Sequence, residues 1–224
     1  MSYGRAEARP PSAECRVPRT YLPLLHQLDD WQSAARRAHP GVIPCRRGCH
    51  ACCHGPFDIS VADVAVLVEA VTRLPDPTRR AVVARANEQM AAMLRIVPDW
   101  RPPFAIEAIG ERRFDQVSDS LETAPCPLLA SSGGCLVYEE RPMVCRLMGI
   151  GMVAEDGAVI ENGCPIQDRF PDYAALPPRP FRLGRWEAGE ERAKRAAAAR
   201  FLGDEDESSY ETPIAAAIVA WVGG

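Results

Sequence analysis

Within ten residues, Cys45-Arg46-Arg47-Gly48-Cys49-His50-Ala51-Cys52-Cys53-His54, the chain places four cysteines and two histidines. A second set follows at Cys126, Cys135, Cys145 and Cys164. Clustered thiols without an occupant oxidise, cross-link or capture metal, so the pattern points first to a thiolate-rich metal site. On a helix, Cys45, Cys49, Cys52 and Cys53 would line a single stripe, because residues three or four apart share a face. Gly48 argues for a loop over part of the stretch, and a tight loop gathers such cysteines as well. Either way the four sulfurs can converge. Four thiolates suit tetrahedral zinc or the four irons of a 4Fe–4S cubane.

Charge fits both metals and separates neither. Zinc with four thiolates and an oxidised cubane with four thiolates are each doubly negative, and Arg46, Arg47, Arg141 and Arg146 stand beside the cysteines as counter-charges. Cys145 follows Pro142 at an expected helix start, which predicts a lowered thiol pKa. Eight candidate ligands exceed one tetrahedral site. Two sites, a bridged multinuclear site, and one cluster with spare redox thiols are all open. His50 and His54 read as outer groups rather than ligands, since thiolates are already plentiful. Three plainer readings compete: buried small hydrophobes, a disulfide scaffold, and a vicinal Cys52-Cys53 disulfide. The clustering argues against the first, and a reducing compartment against the second.

Composition sets the compartment. A chain of 224 residues with 47% hydrophobic and 25% charged residues is ordinary for a globular protein with a true core. A net charge of −4 gives no general pull toward nucleic acid. Met1 to Ala13 is polar and has no apolar core, which predicts no secretory signal, and the apolar run Ile214 to Val222 is too short to span a bilayer. The expectation is a cytoplasmic protein without a membrane partner. In that compartment nine cysteines are ligands or redox groups rather than disulfides, with Cys15 the outlier.

The elements that must position these groups are mostly helical. Residues 1–19 read as an extended arm. Tyr21, Leu24, Leu25, Leu28, Trp31 and Ala35 recur at helical steps from Thr20 to Ala38, where His39-Pro40-Gly41 ends the helix. Ser60, with Asp63 three residues on, reads as a capped helix start. The stripe Val61, Val64, Leu67, Val68, Val71 and Leu74 follows it. Asp76 and Pro77 read as the next N-cap and first-turn proline, before a second stripe through Val83, Ala86, Met90, Met93, Leu94 and Val97. These two helices are expected to form an antiparallel pair. Residues 98–105 read as extended, and Glu107 to Glu122 as a helix interrupted or begun late at Gly110.

From Cys126 the pattern changes to short strands. Cys126 to Leu129 and Cys135 to Tyr138 read as one hairpin, and Ile150 to Ala154 with Ala158 to Glu161 as another. A short helical turn holds Cys145 between them. The tail reads as a Pro-rich link (171–180), a helix from Trp186 to Leu202, an acidic break at Asp204 to Glu207, and a short helix near 213–222. The fold class is mainly α with small β-hairpins (α+β), one domain built around a multi-cysteine metal centre. Its expected parts are an N-terminal arm and helix (1–44), a cysteine-cluster domain (45–165) and a C-terminal helical extension (166–224).

Cys45-x3-Cys49-x2-Cys52-Cys53, then Cys126-Pro127-Leu128, Gly134-Cys135-x-Val137-Tyr138-x2-Arg141-Pro142-x2-Cys145-Arg146 and Cys164, together resemble the YkgJ-type cysteine-cluster family. Asp63 on the first helix after the Cys-Cys doublet also fits. The first gap is three residues here, where the family more often has two. The resemblance covers residues 45–165 and implies that these cysteines chelate zinc or iron. A similar cluster in the longer flagellin lysine N-methylases implies, by analogy, an iron–sulfur redox or protein-modifying enzyme as an alternative. A third reading is a metal-stapled module that binds a protein partner. The sequence carries no HExxH or Ser-His-Asp pattern, and Gly149-Ile150-Gly151 is a lone GxG of little weight as a cosubstrate fingerprint.

Overall fold

The computed structural model describes residues 17–223. Most of the expected arm, and Cys15 with it, lies outside these residues. Eight α-helices and five short strands follow in the described chain: α1 (Val17–Ala38), β1 (Asp58–Ser60), α2 (Val61–Thr72), α3 (Asp76–Ile96), α4 (Glu111–Ser120), α5 (Met143–Leu147), β2 (Met152–Val153), β3 (Val159–Ile160), α6 (Pro171–Ala174), β4 (Arg179–Pro180), α7 (Leu183–Phe201), β5 (Glu211–Pro213) and α8 (Ile214–Trp221). The expected class, mainly α with small β elements, is what the chain adopts.

The centre of the molecule is α2. Its sequence, Val-Ala-Asp-Val-Ala-Val-Leu-Val-Glu-Ala-Val-Thr, carries apolar residues all round, and Val61 to Val68 are all buried. Such a helix must be covered on every side. One face (Val64, Leu67, Val68, Val71) joins a core with α3, α8, Trp100, Phe114 and Leu128. The other (Val61, Ala62, Ala65, Val66) joins Tyr21, Leu25 and Leu28 of α1 and Trp186, Ala193 and Ala197 of α7. A single stripe understates this helix, because the tail returns to cover its second side.

α8 is its counterpart. Ile214 to Ile218 are fully or almost fully buried, and α8 packs on both α2 and α3. The two helices start from one antiparallel ribbon, in which Asp58, Ile59 and Ser60 of β1 face Pro213, Thr212 and Glu211 of β5. The periodicity pointed to α3 as the partner of α2, whereas the principal neighbour of α3 is α8. The fully apolar tail helix outcompetes the more polar α3 for contact.

Local signals account for most helix ends. Ser60 Oγ accepts the Asp63 N–H at 3.2 Å, as the cap pattern requires. Gly110 sits at φ +78, and α4 starts only after it. Asp76 is already inside α3, with Pro75 at the cap position and no side-chain cap bond, so the expected Asp76 cap is shifted by one residue. The second expected hairpin forms, with Met152 facing Ile160 and Val153 facing Val159, and β4 adds in parallel to β2. The first does not: Leu129 and Cys135 make only an isolated bridge around the turn at residues 130–134. No helix among the described residues is long and apolar enough to cross a membrane.

Candidate metal centre

Cys45, Cys49, Cys52 and Cys53 lie on a loop, not a helix. The Cys49 N–H bonds the Arg46 carbonyl at 2.9 Å, the Cys53 N–H bonds the His50 carbonyl at 2.9 Å, and Gly48 turns the chain at φ +90. Left-handed backbone of this kind favours glycine, which is why Gly48 ends any helical continuation. This loop is then fastened to the second cysteine segment by main-chain bonds. The Cys126 N–H donates to the Cys53 carbonyl at 3.0 Å and the Gly55 N–H to the Ala124 carbonyl at 2.7 Å, around a bridge between His54 and Pro125. Cys145 sits in the middle of α5, and Cys164 precedes a short 3-10 turn at Gln167–Arg169. All eight cysteines are half-buried and none is in a disulfide.

The electrostatics sort them into two groups. Burial pushes the Cys45 thiol up to about 11, and the charges of Cys52, Cys49 and Cys164 add to the rise against Arg36. Burial pushes Cys126 up to about 12, with Cys135 and Cys52 contributing. Cys145 is held well above the ordinary thiol range by burial first, then by Cys126, Cys135, Cys52 and Asp63. Cys45 is thus coupled by charge to Cys52, Cys49 and Cys164, and Cys145 to Cys126, Cys135 and Cys52. Cys52 is raised by its hydrogen bond with Cys53 and by burial, and is common to both sets. The lowered pKa expected for Cys145 is reversed, because burial outweighs a place within a five-residue helix.

Arg146 is fully buried and turned toward α1: it donates to the Asp29 carboxylate, to the Arg141 carbonyl at 2.9 Å and to the Glu139 carbonyl at 2.5 Å. Arg141 donates to the other Asp29 oxygen at 2.5 Å and lies over the Tyr138 ring, its guanidinium carbon 4.2 Å from the centroid. Arg47 covers the same ring at 4.8 Å and pairs with Glu139. Arg141 and Arg146 still oppose the burial-driven rise of Cys135. Their main contacts tie α5 to α1, and Gln32 adds bonds to the carbonyls of Arg146 and Met148.

Asp29 and Gln32 were not singled out in the sequence. The signal was there: both fall beside Leu25, Leu28 and Ala35 on the buried face of α1, where a polar side chain needs a partner. Asp63 does more than cap. Its Oδ1 accepts the Met143 N–H at 3.0 Å and the Tyr21 hydroxyl at 3.3 Å, so the start of α2 holds the start of α5 two residues before Cys145. His50 and His54 have ring centroids 6.1 Å apart, and the His50 ring lies against Gly133. The glycines of the lone GxG serve packing, since a Cβ at Gly149 would stand 3.3 Å from Cys45 Sγ. Among the described residues, no group of three or more Cys, His, Asp or Glu side chains is arranged to hold a metal ion as it stands.

A helical frame with unpaired cysteines on two main-chain-bonded loops, on α5 and ahead of a 3-10 turn defines a cysteine-rich domain. Residues 44–165, more than half of the chain, match the model of the CxxCxxCC family, described as a "putative zinc- or iron-chelating domain", and the chain belongs to this family. Membership supports a metal-binding role in coarse terms. No curated protein matches the chain significantly. Nor does any solved structure.

Proposed function

We propose that the protein holds zinc or iron through Cys45, Cys49, Cys52, Cys53, Cys126, Cys135, Cys145 and Cys164. One observation carries the reading: main-chain bonds join the Cys53 and Cys126 segments, so that cysteines more than seventy residues apart in sequence lie on adjoining strands of chain. The donor chemistry fits. Thiols buried beside one another resist ionisation because each negative charge opposes the next, and a bound cation supplies the missing counter-charge. Zinc bound there would cross-link the loops, whereas an iron–sulfur cluster would add one-electron redox chemistry. The chain's own residues supply the rest: Asp63, Asp29 and Gln32 hold α5 and its Cys145, and Gly48 makes the turn of the first loop.

The test is anaerobic purification followed by metal analysis, sulfide analysis and a visible spectrum on one sample. Stoichiometric zinc in colourless protein supports chelation in a structural or storage role. Iron with sulfide and a broad visible band supports the iron–sulfur reading, and with it a redox or protein-modifying activity. Folded, metal-free protein with all thiols reduced, which also fails to take up added zinc or iron, would refute the proposal.

A further inference from the structure

The segment that carries Cys126 is gripped by an arginine that belongs to neither cysteine set. Arg85 lies midway along α3 and is half-buried. Its guanidinium donates twice to one oxygen, the Pro127 carbonyl, from Nε at 2.9 Å and from Nη2 at 2.7 Å. No carboxylate among the described residues pairs with it. The arginines beside the other cysteines differ, since Arg141 and Arg146 share Asp29 and Arg47 pairs with Glu139. The hydrogen bonds of Arg85 go to a single main-chain group.

That group sits in the turn which begins at Cys126. The Leu129 N–H closes the turn on the Cys126 carbonyl at 2.9 Å, and the Cys126 N–H is held by the Cys53 carbonyl at 3.0 Å. Pro127 fixes its own φ and brings no N–H. With both ends tied, the peptide between Pro127 and Leu128 is the one left to settle. Pro127 is buried and its carbonyl receives no main-chain N–H, so it needs a side-chain donor. Arg85 fills both of its lone pairs. Among the described non-glycine residues Phe104 alone has a positive φ, which excludes the type II form of this turn. Turning the peptide over would break both Arg85 bonds and force Leu128, fully buried in the core with Val82, Ala86 and Met90 of α3, into left-handed backbone.

We propose that Arg85 is a positioning residue of the metal centre: through the Pro127 carbonyl it fixes the direction in which the turn presents Cys126. This rests on the metal-binding reading. It gives α3, a helix without a cysteine, a part in the site that the cysteine pattern does not contain.

Two variants of the full chain test it. Arg85→Met keeps the stem and removes the donors, and Arg85→Lys keeps the charge without the fork. In metal-free protein both should speed hydrogen exchange at the Leu129 and Leu136 amides, whose acceptors are the Cys126 and Leu128 carbonyls, and leave α2 as it was. Cobalt(II), or iron with sulfide where cobalt is not retained, is then loaded anaerobically, and both variants should release it to a chelator about tenfold faster than wild type. Leu67→Ala, which shortens a core side chain on α2, should lower stability without changing release. Release that follows stability alike in Leu67→Ala and the Arg85 variants would overturn the inference, as would wild-type release from Arg85→Met. Full rescue by Arg85→Lys would overturn it too, because charge alone would then suffice. If Arg85→Met does not fold, Arg85→Lys carries both readouts with the same expectation, and wild-type behaviour in it is the overturning result. Wild-type protein that takes up neither metal with its thiols reduced would instead overturn the metal reading, and this inference with it.

Discussion

The helical frame and the cysteine-bearing segments are held by different forces. In the frame, α2 and α8 are buried from several sides by apolar neighbours, and a three-residue ribbon starts both. In the cysteine segments the longest helix has five residues, the strands have two, and the cysteines stay half-buried. Polar anchors order them instead: Asp29 on two arginines, Gln32 on two carbonyls, and Asp63 on the first N–H of α5. Apolar burial is additive and tolerant of single losses. A buried charge pair is not, because removing one partner leaves the other desolvated and alone.

That contrast can be broken from either side. The largest effect is expected from Asp29→Ala, which strands the fully buried Arg146 guanidinium; a loss of about 3–5 kcal/mol in denaturant unfolding is expected. Chelator-extracted Asp29→Ala should also lose hydrogen-exchange protection in residues 138–148 before it does so in α2. Leu67→Ala cuts a fully buried side chain from the core and should cost about 2–5 kcal/mol. Unlike Asp29→Ala, it should leave metal stoichiometry unchanged, and a loss of metal in this variant would erase the distinction between the two regions.

A smaller effect concerns pH at the seam between them. The Tyr21 hydroxyl stands between Asp63 and Glu190, at 3.3 and 3.4 Å. Burial raises Glu190 to about 7 and Asp63 to about 6, with Lys194 opposing the rise of Glu190 and the Met143 N–H that of Asp63. Both acids hold a proton in the folded chain at pH values where they have lost it in the unfolded one. Their contribution is therefore full below the unfolded carboxyl range and is lost as pH rises through about 6 to 7. Glu190→Gln should flatten stability-versus-pH curves in that window, and an unchanged slope would show that Glu190 is ionised throughout. The smallest effect is expected from Ser60→Ala, which removes the α2 cap and should cost about 1 kcal/mol.

Much of this was legible in the residues. The α1 periodicity, the Ser60 cap, the Gly110 break and the hairpin at residues 152–160 rest on local rules, and they formed. Where the reading failed, a distant partner intervened. The Cys126 hairpin shrank to one bridge around residues 130–134, while the Cys126 N–H bonds the Cys53 carbonyl. Cys145 came out with a raised thiol pKa, because helix position is local and desolvation is not.

By itself, then, the sequence determined most of the helices, the Ser60 cap and the clustering of cysteine along the chain, since periodicity and capping act over a few residues. Only the tertiary structure decided that α8 rather than α3 lies beside α2, and that Asp29 neutralises the arginines flanking Cys145. It alone brought the Tyr173 hydroxyl to the Gly149 carbonyl. Each of these depends on which remote surface reaches a buried group first, and spacing along a chain carries no record of that.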